Sequence, residues 1–162
     1  MFTEKTVQEL AQVLGEKLTQ AGLVVATAES CTGGGVAYAI TEISGSSQWF
    51  DRGFITYSNG AKMQMLGIDD TLIHQFGAVS EQVVEQMAIA AVKNSDADIA
   101  VAISGIAGPE GGTLEKPVGT VCISWYNAHS GSKTASYLFV GDRSDVRTQA
   151  IRLALFGLIE II

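Results

Sequence analysis

Residues 23–43 read LVVATAESCTGGGVAYAITEI. Leu23 to Ala28 is a continuous apolar run, the pattern of a strand buried on both faces. Ser30, Cys31 and Thr32 lead into three glycines. Val36, Ala37, Ile40 and Ile43 then recur at helical spacing. The stretch therefore reads as strand, glycine turn, helix, the unit from which parallel α/β sheets are built.

The rest of the chain extends that unit. Upstream, Val7, Leu10, Ala11, Leu14 and Leu18 predict a helix stopped by Gly22. Downstream, Gly45, Ser46 and Ser47 read as a loop and Phe54–Tyr57 as a second strand. Asn59 is a candidate cap for a short helix carrying Lys62, Met63 and Leu66. Ile68–Phe76 reads as another short helix. Ser80 caps a longer one with Val83, Val84, Met87, Ala88, Ala91 and Val92 inward. Ile99–Ile103 is a third buried strand and ends in SGIAGPEGG (104–112). Val118–Trp125 and Lys133–Val140 alternate around NAHSG, the pattern of an antiparallel hairpin. Asp142 caps a final helix through Ile159. The expected fold is one three-layer α/β/α domain over residues 1–162. Its sheet is mixed, with parallel strands plus an antiparallel hairpin.

Composition narrows the function. The chain has 162 residues, 47% hydrophobic and 17% charged, with a net charge of −7. Such a chain has no global attraction for nucleic acid or an anionic membrane. No run approaches the ~20 apolar residues of a membrane span. The N-terminal segment carries charges within its apolar pattern, unlike a signal peptide. Cys31 and Cys122 make no disulfide framework, so a reduced, cytoplasmic setting is expected. Two scattered histidines and no CxxC give no zinc pattern, and no metal or cofactor is expected. The apolar end of the last helix, LFGLIEII (155–162), is more than a monomer leaves wet, so a homodimer is expected.

In open α/β sheets ligands bind beyond the carboxyl ends of the strands. AESCTGGG, YSNGAK and SGIAGPEGG all fall there, which argues for one site. Ser30 is a candidate nucleophile, with backbone N–H groups of Cys31, Thr32, Gly33 and Gly34 as oxyanion donors. An ordinary helix cap or turn is the plainer reading from the spacing alone. The G-x-S-x-G elbow of α/β-hydrolases is absent. A serine needs a base. His74 and His129 lie on a short helix and in a hairpin turn, poor places for one. Lys62, five residues beyond a strand end, is the other candidate. Bringing a lysine from about 10.4 to near 7 takes roughly 4–5 kcal/mol, which burial can supply. A solvated helix lysine is the plainer reading. Tyr57 offers a hydroxyl for a proton or simple sheet packing. Cys31 is the rival nucleophile, or a small buried core residue.

The stretch Ser104, Gly105, Ile106, Ala107 and Gly108 resembles an anion-binding nest, though a plain Gly/Pro loop explains it as well. It lacks the P-loop and dinucleotide fingerprints. Lys116, Arg143 and Arg147 are candidate phosphate contacts, or a solvated helix start with Arg143 paired to Asp142 or Asp145.

Five ordered blocks carry a resemblance: AESCTGG (28–34), GFITYSNGAKMQMLGI (53–68), GAVSEQVVEQMA (77–88), AISGIAGPEGGTLEKPVGTV (102–121) and GDRSDVRTQA (141–150). Together they resemble the CinA C-terminal domain family across about residues 5–160. The resemblance implies hydrolysis of the carboxamide of nicotinamide mononucleotide, giving nicotinic acid mononucleotide and ammonia in pyridine nucleotide recycling. It places the family's serine on Ser30, its tyrosine on Tyr57 and its lysine on Lys62. Longer members carry an additional N-terminal domain with no counterpart in these residues, so that domain's pyrophosphatase activity is not expected here. A non-catalytic nucleotide-binding module of the same type is the alternative, and a cysteine amidase acting through Cys31 a third reading.

Overall fold

The computed structural model describes residues 4–162. The first three positions of the domain expected over 1–162, and of the segment compared with a signal peptide, lie outside the described residues. Helix α1 (Val7–Ala21) starts at a capping box in which Thr6 and Glu9 satisfy each other's backbone donors, and stops at left-handed Gly22. Strand β1 (Val25–Glu29) is buried along its whole length, as a central strand must be. Helix α2 (Gly35–Thr41) follows the glycine turn. Strand β2 (Phe50–Ile55), helix α3 (Asn59–Leu66), helix α4 (Asp70–Phe76) and helix α5 (Glu81–Lys93) come next. Strand β3 (Ile99–Gly105), the hairpin β4 (Thr120–Asn127) and β5 (Gly131–Leu138), and helix α6 (Arg143–Glu160) complete the chain.

The five strands form one sheet in the order β2-β1-β3-β4-β5. β1 runs parallel to β2 and β3, while β3–β4 and β4–β5 are antiparallel. The mixed sheet expected from the sequence is thus present. Strand alternation divides the core. Val25, Val101, Ile103, Ile123 and Trp125 face α1, α2 and α6. Ala26, Ala28, Ala100 and Ala102 face α5, with Leu66, Ile68 and Ile73 filling in beside it. Four alanines on that face leave room for Val83, Val84, Met87, Ala88 and Ala91 of α5.

Several local expectations shift. β2 starts four residues earlier than Phe54 and stops before Tyr57. It is an edge strand, half solvated, so Asp51 and Arg52 break the apolar pattern without breaking the ladder. The last ladder bond is Thr56 N–H to Glu29 O, after which the chain turns away. Ser58, not Asn59, caps α3, its Oγ accepting from the Ala61 N–H. The loop at 45–48 contains a short 3-10 turn, Ser46–Gln48. Val92 is only half-buried, though it packs against the same cluster as the inner face of α5.

The apolar end of α6 lies inside the molecule. Leu155 and Leu158 are fully buried and Ile159 nearly so, in one cluster with Leu10, Leu14 and Leu18 of α1. Most of the apolar surface from which a homodimer was expected is therefore covered by α1 of the same chain, while Phe156 and Ile161 are half-buried and Ile162 is exposed. No helix among the described residues is long and apolar enough to cross a membrane.

Candidate active site

The parallel strands bring their carboxyl ends to one edge. Glu29 pairs with Ile55 on one side and Ile103 on the other, so Ser30, Thr56 and the end of β3 are neighbours. Ser30 extends the ladder by one bond, its N–H donating to Ile103 O. The chain then closes a helix-like turn, with Gly33 N–H on Ser30 O and Gly35 N–H on Thr32 O. Gly33 and Gly34 hold φ of 59° and 95°, values that a side chain would oppose.

Lys62 enters from α3. It is 1% exposed, so the plain reading of a solvated helix lysine does not hold. Its Nζ donates to Thr56 O at 2.8 Å and lies 3.1 Å from Ser30 Oγ. Burial holds its amine below the ordinary lysine range. Ser30 is 8% exposed. A buried amine within reach of a serine hydroxyl, with one N–H already placed on a carbonyl, can take a proton from that hydroxyl.

Cys31 sits beside this pair but is built differently. Burial pushes its thiol up to about 11, opposed chiefly by its own backbone N–H. A thiol held that high is protonated at neutral pH and is a poor nucleophile.

Both arginines of GDRSDVR reach this edge from successive turns of α6. Arg147 Nε donates to Cys31 O at 3.1 Å and Nη2 to Thr32 O at 3.2 Å. Arg143 donates from Nη1 to Gly108 O at 2.8 Å and from Nη2 to the Tyr57 hydroxyl at 3.1 Å. Neither guanidinium pairs with a carboxylate among the described residues. Asp142 and Asp145 are instead occupied with each other's backbone N–H groups. An open cleft of ≈ 660 Å³ lies against both arginines, walled by Ala107, Pro109, Val118 and Asp142.

The other candidates are placed less directly. Tyr57 is 61% exposed and its hydroxyl is bonded to Arg143, not to Ser30 or Lys62. Ser104 Oγ donates to Ala78 O, and Gly105 is the last residue of β3. Ile106 N–H is held by Thr120 O, and the Gly108 carbonyl is an acceptor for Arg143. The 104–108 stretch therefore shows a partly committed backbone rather than an open row of donors. Among the proposed oxyanion donors, Gly33 N–H is committed to Ser30 O and that of Cys31 meets its own thiol, while those of Thr32 and Gly34 have no backbone or side-chain acceptor among the described residues. Lys116 Nζ donates to Phe76 O, outside this group. His74 lies exposed near Asp70 on α4, and His129 in the hairpin turn. Among the described residues no three His, Cys, Asp or Glu gather to hold a metal ion.

Two residues escaped the sequence reading. Glu29 is 1% exposed, and its two oxygens accept the N–H groups of Val36 (2.9 Å) and Ala37 (3.0 Å). It thus occupies the start of α2, so that helix offers no free N-terminus to a substrate. A charged residue closing an apolar run was the available signal, since buried carboxylates must find partners. Thr56 supplies the carbonyl that places Lys62. The Thr32 and Thr56 hydroxyls are buried without a partner among the described residues.

The sequence model described as the CinA C-terminal domain matches residues 7–162. The nicotinamide-nucleotide amidohydrolase PncC of Escherichia coli (strain K12) is 53% identical over 154 residues, covering 95% of this chain and 93% of that protein. The protein of the same name from Pseudomonas putida is 50% identical over 154 residues, with 94% of each covered. Among solved structures, a competence/damage inducible protein from Agrobacterium tumefaciens superposes with a TM-score of 0.94 at 45% identity, covering 96% of this chain and 94% of that one. A competence-damaged protein (CinA) superfamily protein from Escherichia coli superposes with a TM-score of 0.92 at 36% identity, covering 97% and 91%.

Proposed function

The chain belongs to the CinA C-terminal domain family, and from that premise we propose that it hydrolyses the carboxamide of nicotinamide mononucleotide. The products are nicotinic acid mononucleotide and ammonia. The name carried by its relatives supports the substrate. The observation that carries the chemistry is the buried Lys62 Nζ, 3.1 Å from Ser30 Oγ and held below its ordinary pKa by burial.

Ser30 Oγ attacks the carboxamide carbon while neutral Lys62 takes its proton. The tetrahedral oxyanion is met by N–H groups of the turn, chiefly Cys31 and Thr32. The C–N bond then breaks, Lys62 returns the proton, and ammonia leaves. Water attacks the acyl-serine, Lys62 accepts its proton, and the Ser30 oxygen departs reprotonated with release of the acid. Arg143, exposed and without a carboxylate partner, meets the 5′-phosphate in the adjoining cleft. Tyr57 is bonded to Arg143, so a proton relay through it requires it to exchange that partner. We place this activity in the cytoplasm, a setting that suits two free buried thiols.

The experiment is ammonia release from nicotinamide mononucleotide by purified protein, with chelator present, beside Ser30→Ala and Cys31→Ala. Every step above uses groups of this chain, so chelator leaves the rate unchanged. Ser30→Ala lowers kcat by ~10⁴-fold or more, and Cys31→Ala retains most of it. Binding of the mononucleotide without ammonia release by the parent would replace this reading with the non-catalytic module.

A further inference from the structure

Arg147 and Arg143 sit one turn apart on α6, yet they hold different things. Arg143 is exposed and grips one carbonyl and one hydroxyl at the cleft. Arg147 is half-buried and places two nitrogens on two successive carbonyls, Cys31 O and Thr32 O, from 116 and 115 residues away. Those carbonyls belong to the turn that carries Ser30.

The peptides of that turn are trans, the one cis bond among the described residues being Gly108–Pro109. In a trans peptide the C=O and N–H point in opposite directions. A guanidinium fixed on Cys31 O therefore fixes the Thr32 N–H pointing away from it. The turn is helix-like, with Ser30 at its first position, and the N–H groups of a first turn point back toward its start. Ser30 O already takes the Gly33 N–H there, while the Thr32 N–H has no acceptor among the described residues. A cation on the carbonyl end of a peptide also polarises it, making its N–H the stronger donor. Glu29 holds the opposite end of the segment through Val36 and Ala37. The turn is thus clasped by an acceptor at one end and a cation along its carbonyls.

From this geometry we infer that Arg147 is a positioning residue. It holds and polarises the Cys31–Thr32 peptide so that the Thr32 N–H receives the oxyanion formed at Ser30. It is not a substrate contact, and the anion-binding part belongs to Arg143. This inference rests on the reading of Ser30 as an amidase nucleophile.

The test compares Arg147→Gln, Arg147→Lys and Arg143→Gln with the parent by two readouts. The first is kcat and KM for ammonia release from nicotinamide mononucleotide. The second is the rate at which an alkyl fluorophosphonate labels Ser30, followed by intact mass. That reaction also builds negative charge on an oxygen beside Ser30 but needs no nucleotide. Arg147→Gln is expected to lower kcat by about 10²-fold, the scale of a lost oxyanion donor, with KM within about threefold. It slows labelling by a similar factor. Arg147→Lys keeps the charge but not two parallel donors, and recovers part of both rates. Arg143→Gln raises KM and leaves the labelling rate near that of the parent. Matching melting curves show which variants are folded, and the lysine variant carries the comparison if the glutamine variant is not. The inference is overturned if Arg147→Gln raises KM alone, if it labels at the parent rate, or if parental Ser30 does not label. A parent that labels but releases no ammonia removes the proposed substrate, and the labelling rates then decide the role of Arg147 separately.

Discussion

At the scale of single residues, the site depends on one amine kept out of water. Burial lowers the pKa of Lys62, so between that depressed value and about 10.4 the unfolded chain holds more protons than the folded one. The sign follows: stability gained from this group rises with pH through that window, and below it the burial cost is fully present. Lys62→Met fits a similar volume and removes that cost. At pH 7 it is expected to melt no lower than the parent and to release no ammonia. A clearly lower melting temperature would mean that the amine is held charged by its surroundings. The parent's rate should rise with pH through the lowered lysine pKa and persist into the alkaline range; a maximum near pH 5 with a fall by pH 8 would remove Lys62 as the base. The place of Ser30, at a turn between a buried strand and a helix, was legible in the sequence because a strand, a small polar residue and glycines stand in a row. Lys62 was not decided there, because nothing in NGAKMQML distinguishes an inward lysine from a solvated one. That depended on the Thr56 carbonyl and the Ser30 hydroxyl arriving from other elements.

At the scale of elements, the join between β1 and α2 matters most. Glu29 ends the strand and its side chain folds forward onto the first N–H groups of the helix. The join is therefore closed by its own carboxylate rather than by solvent. Glu29→Gln presents an amide nitrogen to one of those donors and leaves it buried without an acceptor. The expected cost is about 1–3 kcal/mol in urea unfolding. A fall in kcat should accompany it, because the turn that carries Ser30 loses one of its two holds. Unchanged stability and unchanged kcat would show that the Val36 and Ala37 donors find other partners. Caps and stops were well legible at this scale: Gly22, Ser80 and Asp142 do what their residue types imply. The bounds of β2 were not, because an edge strand shows solvent its polar residues and so has no clear period.

At the scale of the whole molecule, α6 ties the layers together. Its buried face meets α1 and the sheet, and its first turns carry both arginines to the site. Gly157 is where the helix passes the indole of Trp125, which is 1% exposed and donates to Ala154 O at 2.9 Å. A methyl group at 157 would fall on that ring. Gly157→Ala is expected to cost about 3 kcal/mol, since neither the helix nor a buried tryptophan can give way freely. Thermal unfolding measures it, and a loss below a few tenths of a kcal/mol would mean that the helix can shift. The order of elements, the mixed sheet and the convergence of three strand ends were readable from periodicity and turn chemistry alone, because both are local and repeat along the chain. What covers the apolar end of α6, whether Lys62 is wet or dry, and which atoms each arginine holds were decided only by tertiary structure. Burial and hydrogen-bond partners are set by residues distant in the chain, 116 positions apart for Cys31 and Arg147, and no local pattern records them.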